Sequence, residues 1–309
     1  MRLNNIPVLY IAFARPEYAR QSFDAIKAAK PKTLYFYSNK GREGHGDEIE
    51  RNNKVRAMLG EIDWDCDVHT WFRDECVDVY TSIHGAIDWL FDNEEMGIII
   101  EEDCVASPAF FDFAEKMLLK YKENKRISMV GGSSYVDSYK DNYDYHFSHY
   151  SMIHGWGTWR DRWKSIDWEN ARFEEIITSN VIDSVLQTKE ERKTHNLRIK
   201  SLGNFVKKTN CWDIIFFYTF LSRDCLAIIS KEHLVMNVGV QGAHAKGKKG
   251  SVVYKKVSYA KSEYEITNEP PFVATDVEFD YALNHLVFYV GIKKRLKQAF
   301  KALSYIIQK

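Results

Sequence analysis

The sequence predicts an α/β fold with a mainly parallel central sheet, and two observations support this prediction. Four apolar segments have the length and composition of strands: residues 6–13, 33–38, 65–72 and 96–100. Segments with helical periodicity separate them, and such alternation is typical of a parallel sheet with right-handed crossover connections. Residues 127–132 continue the pattern as a fifth strand.

The intervening helices are predicted over residues 18–26, 48–58 and 80–91. The second is charged, and the third has Ile83, Ile87 and Leu90 or Phe91 on an inward face. After the fourth strand, Ser107 and Pro108 predict the start of another helix, with Ser107 as its N-cap and Pro108 in the first turn. Phe110, Ala114 and Tyr121 then give this helix one apolar face.

Composition excludes several function classes. The 309 residues are 45% hydrophobic, and Lys plus Arg equal Asp plus Glu at 43 each, so no global basic field favours nucleic acid. Five cysteines without a C-x-x-C pair argue against a disulfide framework or a zinc site and favour a reducing compartment. Because no run of 18 apolar residues occurs, we expect a cytoplasmic protein, or one attached to the cytoplasmic face of a membrane.

Three consecutive acids, Glu101, Glu102 and Asp103, follow the fourth strand directly. Open α/β sheets bind ligands at the carboxyl ends of their strands. Adjacent carboxylates repel one another, and a divalent cation would relieve that repulsion. The alternative is an exposed, solvated acidic turn.

The first strand is not followed by a glycine-rich loop, which argues against a dinucleotide-binding fold and against a sugar nucleotidyltransferase. Arg15 stands at that position instead, either as a phosphate ligand or in a structural salt bridge. The polar turn that begins at Asn39 follows the second strand, where base or ribose recognition would fall.

The second half differs in composition. Residues 133–150 are predicted to be an irregular surface segment, and residues 169–210 a helical, charged cover. Between them, three tryptophans occur within eight residues, and glycines flank Trp156, which predicts either a stacking wall of a sugar pocket or a structural aromatic cluster. Asp213 precedes a very apolar helix, as a capping carboxylate or a functional group. His244 lies in a later loop, after strands at 226–229 and 234–239.

Together these segments resemble a known family. The acidic triplet with residues 107–113 resembles the E-D-D…A-P-x-F-F segment of N-acetylglucosaminyltransferases of GT-A fold. Bacterial surface-polysaccharide glycosyltransferases, the haemolysin-like group, are more similar still. Residues 154–159 resemble their W-G-W-A-T-W, residues 211–213 their S-W-D-like element, and residues 233–239 with His244 their N-L-V-x-N-I-G…H.

The resemblance implies a GT-A glycosyltransferase that uses a UDP-sugar or another nucleotide sugar with Mn²⁺ or Mg²⁺. The implied metal ligands are Asp103 and His244, and the implied general base on the acceptor hydroxyl is Asp213. The implied donor-site residues are Arg15, Asn39, Glu101, Glu102 and Trp156. Two departures bear on donor preference: Glu102 stands where the family usually has Asp, and Asp78, Val79 and Tyr80 stand where it usually has a basic residue.

Other functions stay open from the residues alone. They are a metal-dependent phosphohydrolase, a glycoside hydrolase that uses Glu101 or Glu102 with Asp213, and a non-catalytic carbohydrate-binding protein. The predicted domain spans residues 1–265, with a nucleotide-sugar half (1–132) and an acceptor half (133–265), and residues 266–309 form a helical extension.

The end of that extension has a pattern of its own. Residues 290–309 contain six Lys or Arg, no acid, and apolar residues at helical spacing. They predict a basic amphipathic helix, which lies on an anionic membrane or packs on the catalytic domain or on a second subunit.

Overall fold

The computed structural model describes residues 5–136, 142–168, 171–209, 211–239 and 263–288. Its amino-terminal part alternates strands and helices as the sequence predicts. These elements are β1 (Val8–Ala12), α1 (Pro16–Ala29), β2 (Thr33–Ser38), α2 (Gly46–Ala57) with a 3₁₀ turn (Met58–Glu61), β3 (Asp67–Phe72), α3 (Val79–Asn93) and β4 (Met96–Glu101).

The rest of the described chain adds short strands and a helical layer. Its strands are β5 (Cys104–Ala106), β6 (Ile127–Gly131), β7 (Tyr145–Ser148), β8 (Trp156–Trp159), β9 (Leu226–Ser230) and β10 (Val235–Asn237). Its helices are α4 (Pro108–Lys120), α5 (Arg160–Lys164), α6 (Ala171–Thr178), α7 (Val181–Val185), α8 (Lys189–Thr209), α9 (Trp212–Ser222) and α10 (Val277–Leu283), the last continued by a π-helical turn (Asn284–Phe288).

Eight strands form one sheet in the order β3-β2-β1-β4-β8-β6-β9-β7. The pairings among β3, β2, β1 and β4 are parallel, as is the pairing of β6 with β9. The sheet is therefore mainly parallel, as predicted. The sequence did not predict that β8 runs antiparallel between β4 and β6, or that β7 pairs antiparallel with β9.

The core consists of two apolar clusters, one on each face of the sheet. Alternate residues of β1 divide between them: Leu9 and Ile11 point into one cluster, and Val8 and Tyr10 into the other. Burial on both faces explains why this strand shows no polar alternation in the sequence. The fold is accordingly an α/β fold whose sheet is covered on both sides.

The prediction of an irregular surface segment over residues 133–150 was wrong for its last third. β7 is a fully buried strand, because Tyr145 and Phe147 pack into the core. Its polar side chains meet partners instead of water. The ring of His146 stacks on Phe279, and the hydroxyl of Ser148 donates to Asp280. Composition alone concealed the strand, because its polar residues are satisfied inside the protein.

Next to β7, a buried polar cluster joins the carboxy-terminal segment to the sheet. The backbone N–H of His149 donates to Asp280 at 3.0 Å, and its imidazole lies 3.0 Å from Asp280 and 2.9 Å from Asp224. Burial lowers the pKa of His149, but hydrogen bonds and charge from Asp280 and Asp224 outweigh burial and raise it overall. This cluster holds α10 against the core.

The predictions on helix starts and membrane-spanning helices can be compared with the described residues. Ser107 occupies the N-cap position of α4, but its side chain makes no capping hydrogen bond. The N-cap of α9 is Cys211, so Asp213 lies within the first turn. Within the described ranges, no helix is both long and apolar enough to span a membrane. His244 and residues 290–309 lie outside the described residues, and the predicted domain division at residue 265 stays a prediction.

Candidate functional site

The acidic triplet and Arg15 meet because β1 and β4 are parallel neighbours. Ile11 pairs with Glu101 in register, and the backbone N–H of Glu102 donates to the carbonyl of Ile11 at 2.9 Å. Both strands therefore end at the same edge of the sheet, which we call the carboxyl edge. The loops that follow them place Arg15 against Glu102 and Asp103.

Glu102 is buried and fully engaged. One oxygen accepts from the backbone N–H of Phe13 at 2.8 Å, and the other accepts from Nε of Arg15. The hydroxyl of Ser22 donates to the carbonyl of Glu102 at 2.9 Å. In this structure Glu102 thus ties the ends of β1 and β4 together, and its predicted contact with a donor sugar stays a prediction.

Asp103 has a more open carboxylate. Its Oδ2 accepts from Nη1 of Arg15 at 3.0 Å, and 16% of its side chain is exposed. The carbonyl of Asp103 accepts from the backbone N–H of Val238 at 2.8 Å, next to the two-stranded sheet of β5 and β10. That small sheet brings Gly239 so close that a Cβ there would stand 2.3 Å from Oδ2 of Asp103.

Arg15 is the cation shared by these two acids. Its described ion pairs use Nε and Nη1, and 37% of its side chain is exposed. Burial lowers the pKa of Arg15, but the charges of Glu102 and Asp103 outweigh it and raise that pKa. The salt bridge predicted as one alternative is present, and a phosphate contact stays a prediction.

Glu101 and Asp213 come from distant parts of the chain and interact at the carboxyl edge. Burial raises the pKa of Glu101 well above its ordinary value, and the negative charges of Asp103 and Asp213 raise it further, against the lowering effect of Arg15. The geometry agrees, because Trp212 at the start of α9 stacks on Trp156, which pairs with Ile99 near the end of β4. The start of α9 therefore lies near the end of β4, and the role of Asp213 as a base stays a prediction.

Trp156 contributes to this arrangement from the interior. It pairs with Ile99 across β4 and β8, has no exposed surface, and stacks on Trp212 with ring centroids 6.1 Å apart. A ring without an exposed face offers nothing for a sugar to stack on, so this placement favours the structural aromatic cluster. Because Trp212 is the first residue of α9, the stacked pair positions the helix that carries Asp213.

Asn39 also makes protein contacts. Its amide donates to the carbonyl of Val77 at 2.9 Å and accepts from the backbone N–H of Lys40 and of Val77, at 3.0 and 3.2 Å. These bonds fix the loop after β2 at the same edge. In the described conformation Asn39 shapes this loop, and direct nucleotide recognition by it stays a prediction.

Sequence reasoning missed two contributors to the site, Gly239 and Trp212. Both lie inside segments that the resemblance had singled out, residues 233–239 and 211–213, so the signal was present. Their roles are steric and positional: Gly239 leaves room for Asp103, and Trp212 anchors α9.

The acids at the carboxyl edge are candidate ligands for a divalent cation. Among the described residues, no three His, Cys, Asp or Glu side chains are arranged to hold a metal ion. Asp103 and Glu101 nevertheless supply the hard carboxylate oxygens that Mg²⁺ and Mn²⁺ prefer. Burial first, and the charge of Asp103 second, raise the pKa of Glu101, and a bound cation would favour its ionised form. This donor set fits a cation that takes its remaining ligands from outside the described residues, such as diphosphate oxygens.

An open crevice of about 680 Å³ lies elsewhere, between Arg126, Val181, Asp224 and Thr275. Arg126 and Asp224 precede β6 and β9, so the crevice lies at the amino ends of the parallel strands. It is therefore separate from the carboxyl edge.

Comparisons with known proteins give weak similarities only. No protein-family model and no curated protein matches the sequence. HddC from Yersinia pseudotuberculosis is a structural match with 8% identity and a TM-score of 0.26, over 46% of this chain and 57% of that chain. The mannosyltransferase PcManGT from Pyrobaculum calidifontis, solved with GDP-Man and Mn²⁺, has 13% identity and a TM-score of 0.46, over 100% of this chain and 76% of that chain. Similarities at this level assign neither family nor function.

Proposed function

We propose that the protein is a metal-dependent, inverting glycosyltransferase of GT-A type. It transfers a hexosyl or N-acetylhexosaminyl group from a nucleotide sugar, a UDP-sugar in the first instance, to a hydroxyl of a glycan or lipid-linked acceptor. One observation carries the proposal: the acidic triplet and Arg15 lie at the carboxyl edge of an α/β sheet, where ligands bind such folds, and the stacking of Trp212 on Trp156 brings the start of α9 to the same strand.

The leaving diphosphate gains negative charge during the reaction, because the bond between sugar and diphosphate breaks and its electrons stay on the phosphate oxygen. Arg15 would stabilise that charge with its exposed guanidinium while Glu102 holds it in place. Asp103, with Glu101 beside it and His244 as a further candidate, would hold Mn²⁺ or Mg²⁺. The bound ion would supply Lewis-acid stabilisation of the leaving diphosphate.

The acceptor side requires a base, because a hydroxyl is a poor nucleophile until its proton is removed. Asp213 is the candidate, since it lies in the first turn of α9, whose first residue, Trp212, stacks on Trp156 beside β4. With one base and no protein nucleophile, the acceptor oxygen attacks the anomeric carbon as the diphosphate leaves. The configuration at that carbon is therefore inverted.

The proposal extends to the cellular setting that the resemblance implies. Bacterial surface polysaccharide is the proposed product, and the cytoplasm or the cytoplasmic face of the membrane the proposed location. Residues 290–309 are a proposed membrane contact, on the strength of their basic amphipathic sequence.

The first test is nucleotide-sugar binding, measured calorimetrically with and without Mn²⁺. We expect Mn²⁺-dependent binding that Asp103→Ala weakens about tenfold or more, with the fold intact because Arg15 keeps its ion pair with Glu102 and one of the repelling acids is removed. The control is Asp63→Ala, which removes an acid whose side chain is 66% exposed. Unchanged donor affinity in Asp103→Ala would refute the assignment of this site.

Assays on the same purified protein distinguish the alternative functions. A carbohydrate-binding protein would bind free sugar and ignore the nucleotide, a glycoside hydrolase would cleave a glycoside without one, and a phosphohydrolase would release phosphate without an acceptor. Mass spectrometry of nucleotide sugars retained during purification would then identify the donor.

A further inference from the structure

One face of α8 carries lysines along its whole length. The opposite face is buried through residues such as His195, Ile199 and Val206. Lys193 and Lys208 are exposed and Lys200 is half-buried. These three are spaced by seven and eight residues, about two helical turns each, so they lie on one side of the helix. We call them the α8 lysine face.

The acid nearest this face along the helix is engaged elsewhere, because Glu190, one turn before Lys193, lies 3.6 Å from the imidazole of His285. Residues 192–212 contain six Lys or Arg and no Asp or Glu, although the whole chain is neutral. Across the described ranges, no ion pair involves Lys193, Lys200 or Lys208. By contrast, Lys120 and Lys125 each contact a carboxylate. The α8 lysine face is therefore an unneutralised cationic surface.

An exposed aromatic residue adjoins it. Phe205, one turn before the end of α8, is 45% exposed. Its helix ends at Thr209, and α9 starts three residues later with Asp213 in its first turn. The cationic face thus ends beside the carboxyl edge that holds the candidate site.

We propose that the α8 lysine face, with Phe205, docks on an anionic membrane surface. From Lys193 to Lys208 the face extends about 22 Å, which suits an extended anionic surface better than a single phosphate group. Flexible ammonium groups are attracted to anionic headgroups, and an exposed aromatic ring inserts at the boundary of the acyl chains. Resting on the proposed function, this orientation would present Asp213 to a lipid-linked acceptor.

The test is co-sedimentation of the full chain with vesicles at low salt. Vesicles of equal parts phosphatidylcholine and phosphatidylglycerol should retain the protein, pure phosphatidylcholine should not, and added salt should release it. Lys200→Glu combined with Lys208→Glu should weaken the binding about tenfold or more. The matched control is Lys30→Glu combined with Lys32→Glu, which changes the charge equally at two exposed lysines at the amino ends of the strands.

Three results would overturn the proposal: no binding to the anionic vesicles, equal binding by the α8 variant and the control, or retention by soluble dextran sulfate without retention by vesicles. Equal binding would assign the membrane contact to another segment, such as residues 290–309. Circular dichroism must show that both variants are folded. Sedimentation does not depend on catalysis, so this test of the membrane contact is valid whether or not sugar transfer is found. Sugar transfer to a soluble acceptor should be unchanged in both variants.

Discussion

Replacing Gly239 with alanine is the sharpest test of the site geometry. Gly239 adopts no left-handed backbone conformation, so alanine brings no backbone strain there. Its Cβ would instead meet Oδ2 of Asp103 at 2.3 Å, where ordinary contact begins at 3.4 Å. The carboxylate must therefore move by about 1.1 Å, since the backbone of Asp103 is held by Val238 at 2.8 Å.

A displacement of this size has a defined consequence. It breaks or lengthens the 3.0 Å contact between Asp103 and Arg15, and misplacement of a reacting group by about 1 Å costs on the order of a hundredfold in rate. We expect Gly239→Ala to lower kcat/KM for the nucleotide sugar about a hundredfold and to raise the Mn²⁺ concentration needed for half-maximal rate.

The control is Gly60→Ala, where a new Cβ meets nothing within 4 Å. Initial rates over a range of donor and Mn²⁺ concentrations measure the effect, and thermal unfolding of both variants checks the fold. If Gly239→Ala transfers sugar within about twofold of the parent rate, Asp103 does not act from the position described. Loss of the folded state in Gly239→Ala would show a structural role for the contact instead.

Further variants test separate parts of the structure. Asp213→Asn should keep donor binding and lose about a hundredfold or more in turnover, as expected for a general base, and comparable turnover would leave Asp213 a helix-terminus residue. His244→Ala should shift the Mn²⁺ titration, and an unaltered curve would remove His244 from the site. Asp280 helps to raise the folded-state pKa of His149. The stability that this contact gives the fold is therefore complete below the unfolded-state pKa of His149, about 6.5, and is lost as pH rises through the folded-state value. The free energy of unfolding of the parent should thus fall relative to that of His149→Gln as pH rises above about 6.5. Denaturant titrations over a range of pH measure both, and parallel curves would contradict this. A chain ending at Tyr289 should sediment less with anionic vesicles yet still transfer sugar to a soluble acceptor, whereas equal sedimentation would make residues 290–309 a packing element.

The strands of the amino-terminal half were predictable because each is buried on both faces. Such strands appear as unbroken apolar runs, and β1, β2 and β4 show this pattern. The position of the acidic triplet followed from the same reasoning, because it comes directly after β4. Local sequence was therefore sufficient to predict the strands whose position depends on burial alone.

Prediction failed where pairing between distant segments determined the structure. β8 contains Trp156, Gly157 and Trp159, and nothing local indicates that it inserts antiparallel between β4 and β6. That insertion buries Trp156, which the sequence left open as a pocket wall. The approach of Asp213 to Glu101 depends in turn on Trp212 stacking against Trp156, so no local pattern reveals it.

The charges at the carboxyl edge connect the fold with the proposed function. Arg15 is shared by Glu102 and Asp103, and within the described ranges neither Glu101 nor Asp213 forms an ion pair. Elsewhere exposed acids, such as Glu95, pair with a lysine. Like charges held together and partly buried cost folding free energy, so stability alone does not explain this arrangement. A cationic or metal-bound ligand at the open end of the sheet would compensate the charge. The repulsion that costs folding free energy in the unliganded protein would then be relieved on binding, and this relief would favour donor binding.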